Sequence, residues 1–221
     1  METVLGVPFN PLAVAMVGLM ALMLGALIAF SLRERLREED WRSALEVLAT
    51  ELNLHTAPGT RDAFVGEVRG EWLWVGFKIE RKGSRHQKSV PTLRLDVGAE
   101  LPRGFVIAPR SWNDALVSGL LEGIFTAEDP VLDKRFVFQC ADVPRAQALV
   151  LHPAVREPLS RLGGGAAMAC VEKNQVCLSF TRDVLPSDVL HAHLESLRAV
   201  ASALRVALAE APPEKSARAG G

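Results

Sequence analysis

The chain has 221 residues, with 25 basic and 26 acidic side chains and a formal net charge of −1 at pH 7. That neutrality argues against a general nucleic-acid binder, which needs a basic face to engage phosphates. Three cysteines is an odd number, and the cytoplasmic setting argued below keeps them reduced. Abundant arginine and alanine and the lack of tyrosine hint at a GC-rich bacterial genome.

After a short N-terminal segment over residues 1–11, Leu12–Leu32 reads LAVAMVGLMALMLGALIAFSL, 21 residues without a charge. At ~1.5 Å per residue it spans about 30 Å, the thickness of a bilayer's hydrocarbon core. A cleavable signal peptide would carry a positive n-region, whereas no Lys or Arg precedes Arg33. A lipid-surface helix needs a polar face, which this segment lacks. We therefore expect a single-pass transmembrane helix over 12–32. Arg33, Arg35 and Arg37 crowd its C-terminal flank, so the positive-inside rule places the following domain in the cytoplasm, at the inner membrane. Ala21, Gly25 and Ala29 recur every fourth residue, a spacing that lets two helices approach closely and would support a homodimer.

Residues 33–57 are expected to form an amphipathic linker helix. Its amphipathic pattern starts from Asp40, the candidate N-cap, with Trp41, Ala44, Leu45, Leu48 and Leu52 on one face, and Pro58-Gly59 ends the region. A soluble domain then covers 58–210. It opens with a hairpin in which Gly70-Glu71 suits a type II′ turn. That turn sets Arg69 against Trp72, Val68 against Leu73, Gly66 against Val75 and Phe64 against Phe77. Phe64, Val68, Leu73, Val75 and Phe77 form the core face, and Val65, Glu67, Arg69, Trp72 and Trp74 the other. Arg69, Trp72 and Trp74 are the candidate binding residues, Arg69 being within cation–π reach of the rings. The competing reading covers both tryptophans with the helix that starts at Asp40.

Lys78, Arg81, Lys82, Arg85 and Lys88 then read as a basic loop, a candidate contact for anionic lipid headgroups on a membrane-tethered domain. The acidic residues Asp114, Glu122, Glu128, Asp129 and Asp133 are expected to answer it inside the protein. Val90–Val97 alternates as a half-buried strand. Gly104–Ala108 is a short strand, Ser111–Leu121 a turn or short helix, and Arg135–Cys140 a strand with Phe136 and Phe138 on one side. Pro144–Leu151 and Pro153–Leu162 look helical, the second stopped by Gly163-Gly164-Gly165.

Within this region, Asp129, Leu132-Asp133-Lys134-Arg135-Phe136-Val137-Phe138 and Ala148–Pro153 carry a motif. It resembles that of a bacterial family of unknown function with N-terminal membrane segments and an α+β cytoplasmic domain. Leu132 replaces the family's usual Phe and Phe138 its usual Val. The similarity runs on loosely to Thr181 and covers about a quarter of the chain. The resemblance implies a membrane-associated protein and no particular activity.

A second hairpin spans Ala166–Thr181 and turns at Lys173-Asn174, where Asn tolerates a left-handed conformation. Its register opposes Val171 to Val176 and Cys170 to Cys177. Ala169, Val171, Val176, Leu178 and Phe180 form its core face, and both cysteines share the other. Oxidation would join them as a strained cross-strand disulfide, although free thiols are the expectation for the cytoplasm. From Pro186 and Ser187 a long helix carries Leu190, Leu194, Leu197, Ala201, Leu204 and Leu208 as one apolar stripe. His191 and His193 point to different faces of it and cannot share a metal. Residues 211–221 read as a disordered tail.

No Cys-x-x-Cys, His-Glu-x-x-His, Gly-x-Ser-x-Gly, Gly-x-Gly-x-x-Gly or Walker pattern occurs. We expect no metal and no cofactor, and we identify no catalytic residue. The expected fold is α+β, a membrane helix followed by mostly antiparallel strands, in a sheet or partial barrel, closed by a long C-terminal helix. The expected function is a non-enzymatic, membrane-anchored binding or scaffold module with a protein partner. The alternatives are a tethered enzyme built on Asp129, Asp133, Arg135 and His152, or a structural subunit of a membrane assembly.

Overall fold

The computed structural model describes residues 11–82, 86–110, 123–163, 167–181 and 184–210. Two compact units divide the chain, Met1–Asp40 and Trp41–Gly221. Helix α1 runs Pro11–Glu51, beginning in the first unit and ending in the second. Asp40 is therefore interior to a helix and not the cap of a new one. Arg33–Asp40 contains only helix-compatible residues, with no Gly or Pro to stop the ladder. In the first unit the apolar residues of α1 from Ala15 onward are exposed, and 18 consecutive residues there reach a mean hydropathy of 2.3. This segment is long and apolar enough to cross a membrane.

In the second unit, Trp41, Leu45, Leu48 and Ala49 of α1 are buried, as the helical spacing predicts. Trp41 stacks on Phe180 with ring centroids 5.2 Å apart. The helix stops at Glu51, and Asn53 follows at φ 54°, a left-handed terminator.

The strands are β1 (His55–Thr56), β2 (Ala63–Val68), β3 (Glu71–Lys82), β4 (His86–Asp96), β5 (Val106–Pro109), β6 (Ile124–Phe125), β7 (Phe136–Gln139), β8 (Ala167–Glu172) and β9 (Gln175–Phe180). They form one sheet in the order β1-β2-β3-β4-β9-β8-β5-β7-β6, with antiparallel pairing throughout. Among the described residues four further helices accompany it: α2 (Pro130–Arg135), α3 (Val143–Leu151), α4 (Pro153–Arg161) and α5 (Ser187–Glu210). The fold is α+β, with a long apolar N-terminal helix, an antiparallel sheet and a C-terminal helix.

Every helix from Trp41 onward contributes buried residues to one cluster with Leu73, Val75, Leu93, Leu95, Val171, Val176, Leu178 and Phe180. The helices thus share one face of the sheet. Leu190, Leu194, Leu197, Ala201 and Leu204 of α5 lie at 0–1 % exposure and Leu208 packs at the edge, so the stripe covers the strands.

Three further features differ from expectation. The first hairpin turns at Arg69-Gly70, not Gly70-Glu71, and opposes Val68 to Glu71, Gly66 to Leu73 and Phe64 to Val75. Both turn residues have positive φ, 55° and 80°, as a type I′ turn requires, and its twist matches the strands better than the alternative. Because the partner shifts by two residues, each side chain keeps its face. Second, the basic loop is mostly strand: β3 and β4 stay paired as far as Lys82 opposite His86. Third, the helix α2 was not expected. Asp129 caps it by accepting from the amides of Val131 and Leu132, and Pro130 follows in the first turn. The expected elements over Ser111–Leu121 and the tail over 211–221 lie outside the described residues.

Candidate functional site

The sheet face opposite the helices carries the candidate site. The registers align a row across it: Val65, Trp74, Arg94, Cys177 and Cys170, one from each of five adjacent strands. A neighbouring row contains Thr92 and Ser179, whose hydroxyls lie 3.1 Å apart in a buried pair. On the other side, Asp96, Gln175 and Glu172 form a third row.

Lys78 Nζ lies 3.4 Å from Glu172 Oε1. Lys78 pairs with Val90, whereas Glu172 belongs to the row of Asp96, further along β4 and two strands beyond it. In a flat sheet those Cα atoms would be more than about 20 Å apart. The ion pair therefore requires a strongly coiled sheet that closes toward this face. That curl accounts for the burial of Cys170, Cys177, Thr92 and Ser179 on a face without a described helix.

Trp74 packs on Ala57, Ala63 and Val65 in a small second cluster. The Arg94 guanidinium carbon sits 4.5 Å from the Trp74 ring centroid. Trp72 is 48 % exposed and meets the His55 ring edge-on. The helix that continues past Asp40 packs on the opposite face and covers neither tryptophan. Arg69 does not join them: from the turn it reaches Glu195 of α5 at 3.3 Å. Arg94 takes the role expected of Arg69. Its alternation with Leu93 and Leu95 put it on the polar face, but only the pairing of β3 with β4 reveals Trp74 as its neighbour.

Of the basic run, Lys78 is bound to Glu172 and Lys88 is exposed on β4. Arg81 and Lys82 belong to the far end of β3, and Arg85 lies outside the described residues. Of the acidic residues, Asp114 and Glu122 lie outside the described residues. Asp129 binds Arg156, and Asp133 accepts from the amides of Ala127 and Asp129. Ala21, Gly25 and Ala29 lie exposed along α1 in the first unit.

The groups considered for an enzyme do not converge. Arg135 donates to the carbonyls of Ser160, Leu162 and Gly163 at the end of α4. His152 caps the start of α4 and meets Glu210 at 3.0 Å. Asp133 borders a surface cleft with Arg110, Glu128 and Gln147, which Asp129, Arg135 and His152 do not line.

Cys170 and Cys177 face each other as the hairpin register predicts. The Cys170 thiol donates to Cys177, which holds Cys177 below the usual thiol value and pushes Cys170 above it. Burial and the Glu172 carboxylate oppose a thiolate at Cys177, while Arg94 and Lys78 favour it more weakly. Glu172 completes the group: its carboxylate and the two sulfurs all lie within 4.8 Å of one another. Sequence spacing had suggested no metal ligands, because no ligand motif has this arrangement. The signal was available in the hairpin register, with Glu172 two residues from Cys170 on the same face. Cys140 stands apart, directed to the Arg103 carbonyl, and burial raises its thiol.

No family model and no curated protein matches the chain. The crystal structure of the mycobacterial trehalose monomycolate transport factor A, TtfA, is similar at a TM-score of 0.46 and 12% identity. The alignment covers 75% of this chain and 95% of that one. Likeness at this level carries no functional argument. The motif residues at 129–138 have local structural work: Asp129 caps α2, Leu132 is fully buried, and Phe136 and Phe138 fill the core.

Proposed function

We propose that this chain is a non-enzymatic, membrane-anchored binding module that presents the Trp72, Trp74 and Arg94 face to a protein partner. One observation carries the reading. Trp72 leaves nearly half its surface in water on the sheet face that no described helix covers. Trp72 in water, with Arg94 stacked over the neighbouring Trp74, is the side-chain chemistry of interface hot spots. Arg33, Arg35 and Arg37 support placing the second unit in the cytoplasm, with α1 as the anchor. The similarity read over residues 128–181 fits the same assignment, a membrane-associated α+β protein.

The test is in-membrane crosslinking of the tagged full-length chain, followed by affinity capture. A stoichiometric protein partner, lost on Trp72→Ala while the urea midpoint holds, is the expected result. Capture unchanged by Trp72→Ala overturns the proposal.

A further inference from the structure

The β8–β9 hairpin gathers two thiols and a carboxylate on one face. We propose that Cys170, Cys177 and Glu172 form a Zn²⁺ site, with two thiolates and one carboxylate oxygen as protein ligands and water in the fourth position. This site is separate from the tryptophan surface and does not rest on the binding function proposed for it.

The distances suit the ion. Tetrahedral Zn²⁺ with bonds of ~2.3 Å to sulfur and ~2.1 Å to oxygen holds its ligand atoms about 3.5–3.8 Å apart. The two sulfurs and the Glu172 carboxylate already lie within 4.8 Å of one another, so small side-chain rotations complete the triangle. A soft thiolate pair with one carboxylate selects zinc over magnesium or calcium, which take oxygen ligands.

The backbone favours the metal over a disulfide. Lys173 and Asn174 form a two-residue turn with φ 51° and 61°, which makes Glu172 and Gln175 a hydrogen-bonded pair. Pairs alternate along an antiparallel ladder, so Val171 and Val176 are the closer, non-hydrogen-bonded pair, and Cys170 and Cys177 are again hydrogen-bonded. Cβ atoms at such a position are about 5.5 Å apart. A disulfide needs roughly 3.5–4.5 Å. A metal bridging two sulfurs tolerates the wider spacing.

The charges balance as well. Two thiolates and Glu172 offer three negative charges to a divalent ion, which leaves one excess charge. Lys78, bound to Glu172, and Arg94, in the same row as the cysteines, lie ready to neutralise it. Lys78 also orients the Glu172 ligand as an outer-shell partner. Both cysteines are buried and Glu172 is half-buried, so the water position opens on the carboxylate side.

The experiment uses full-length protein in detergent, reduced and stripped with a chelator, then titrated with Co²⁺ and afterwards with Zn²⁺. One equivalent of Co²⁺ should produce a near-ultraviolet thiolate-to-cobalt charge-transfer band and the strong visible bands of a tetrahedral site. Zn²⁺ should abolish both. Cys140→Ser should leave the spectrum unchanged, and Cys177→Ser should remove the charge-transfer band. Glu172→Gln, at a half-buried position that leaves the core intact, should weaken metal binding at least about tenfold. Absence of the band in reduced wild-type protein overturns the proposal, as does a band that survives Cys177→Ser. Isolation of the protein with Cys170 and Cys177 oxidised to each other under reducing conditions also overturns it.

Discussion

Arg198 of α5 donates from Nε to Glu71 of β3 at 3.1 Å, with about nine-tenths of each side chain buried. Arg198 also donates to the Val68 carbonyl and to Glu195, and Arg205 binds the other oxygen of Glu71. This cluster ties the C-terminal helix to the first long hairpin. Removing one partner strands buried charge, which costs about 3–5 kcal/mol. Glu71→Ala should therefore lower the unfolding free energy by about that amount, read from urea denaturation followed by circular dichroism. A loss within the range of ordinary surface substitutions would show that water solvates the arginines readily.

Trp41 and Trp72 should respond differently to truncation. Trp41 is 2 % exposed and stacked on Phe180, whereas Trp72 is nearly half in water. Trp41→Ala should cost about 3–5 kcal/mol through the cavity it leaves. Trp72→Ala should cost less than about 1 kcal/mol. Thermal melts of the two variants decide this directly, and equal losses would make Trp72 a core residue.

Gly76 pairs with Ala63 across the β2–β3 ladder. A Cβ built there would lie 2.7 Å from the Ala63 Cβ and 2.8 Å from the Asp62 carbonyl oxygen. Backbone atoms cannot step aside as a flexible side chain can. Gly76→Ala should thus destabilise by about 1–3 kcal/mol through overpacking. Calorimetry would show a lowered Tm, and an unchanged Tm would mean that β2 shifts freely.

Arg69 holds φ 55° in the turn, a conformation Asn adopts more readily. Its ion pair with Glu195 is largely exposed and worth at most about 1 kcal/mol. Arg69→Asn should leave stability unchanged or raise it by roughly 0.5 kcal/mol. The same variant should retain partner capture, since Arg69 turns toward α5 and away from Trp72. A clear loss of stability in urea would assign the Glu195 pair a larger role.

Asp129 titrates below the usual carboxylate range, held down first by its bond to Arg156 and then by the Leu132 and Val131 amides. A carboxyl depressed in the folded state binds fewer protons there than when unfolded. Its stabilising contribution is complete above the unfolded value, about 3.9, and is lost as pH falls through the lower folded one. Wild type should exceed Asp129→Asn in urea midpoint near neutrality, and the gap should shrink once the pH drops below about 4. A gap independent of pH would assign the difference to capping alone.

Alternation and spacing made much of this legible. The second hairpin follows its expected register residue for residue, because Lys173-Asn174 leaves a single two-residue turn between strongly patterned strands. In the first hairpin the turn was misplaced, yet Leu73, Val75 and Trp74 kept their faces, since a shift of two residues preserves the strand period. The short helix α2 was missed because its determinants are one capping carboxylate and one proline, not a periodic stripe.

The sequence alone determined the long apolar N-terminal helix, the buried stripes of α1 and α5, and which side chains share each face of the sheet. These follow from local periodicity, which a chain carries before it folds. Tertiary structure decided that Arg94 rather than Arg69 covers Trp74, that Lys78 closes over the cysteines to reach Glu172, and that Asp129, Asp133, Arg135 and His152 line no common cleft. Those outcomes depend on strand order and sheet coiling, which residues far apart in sequence set together.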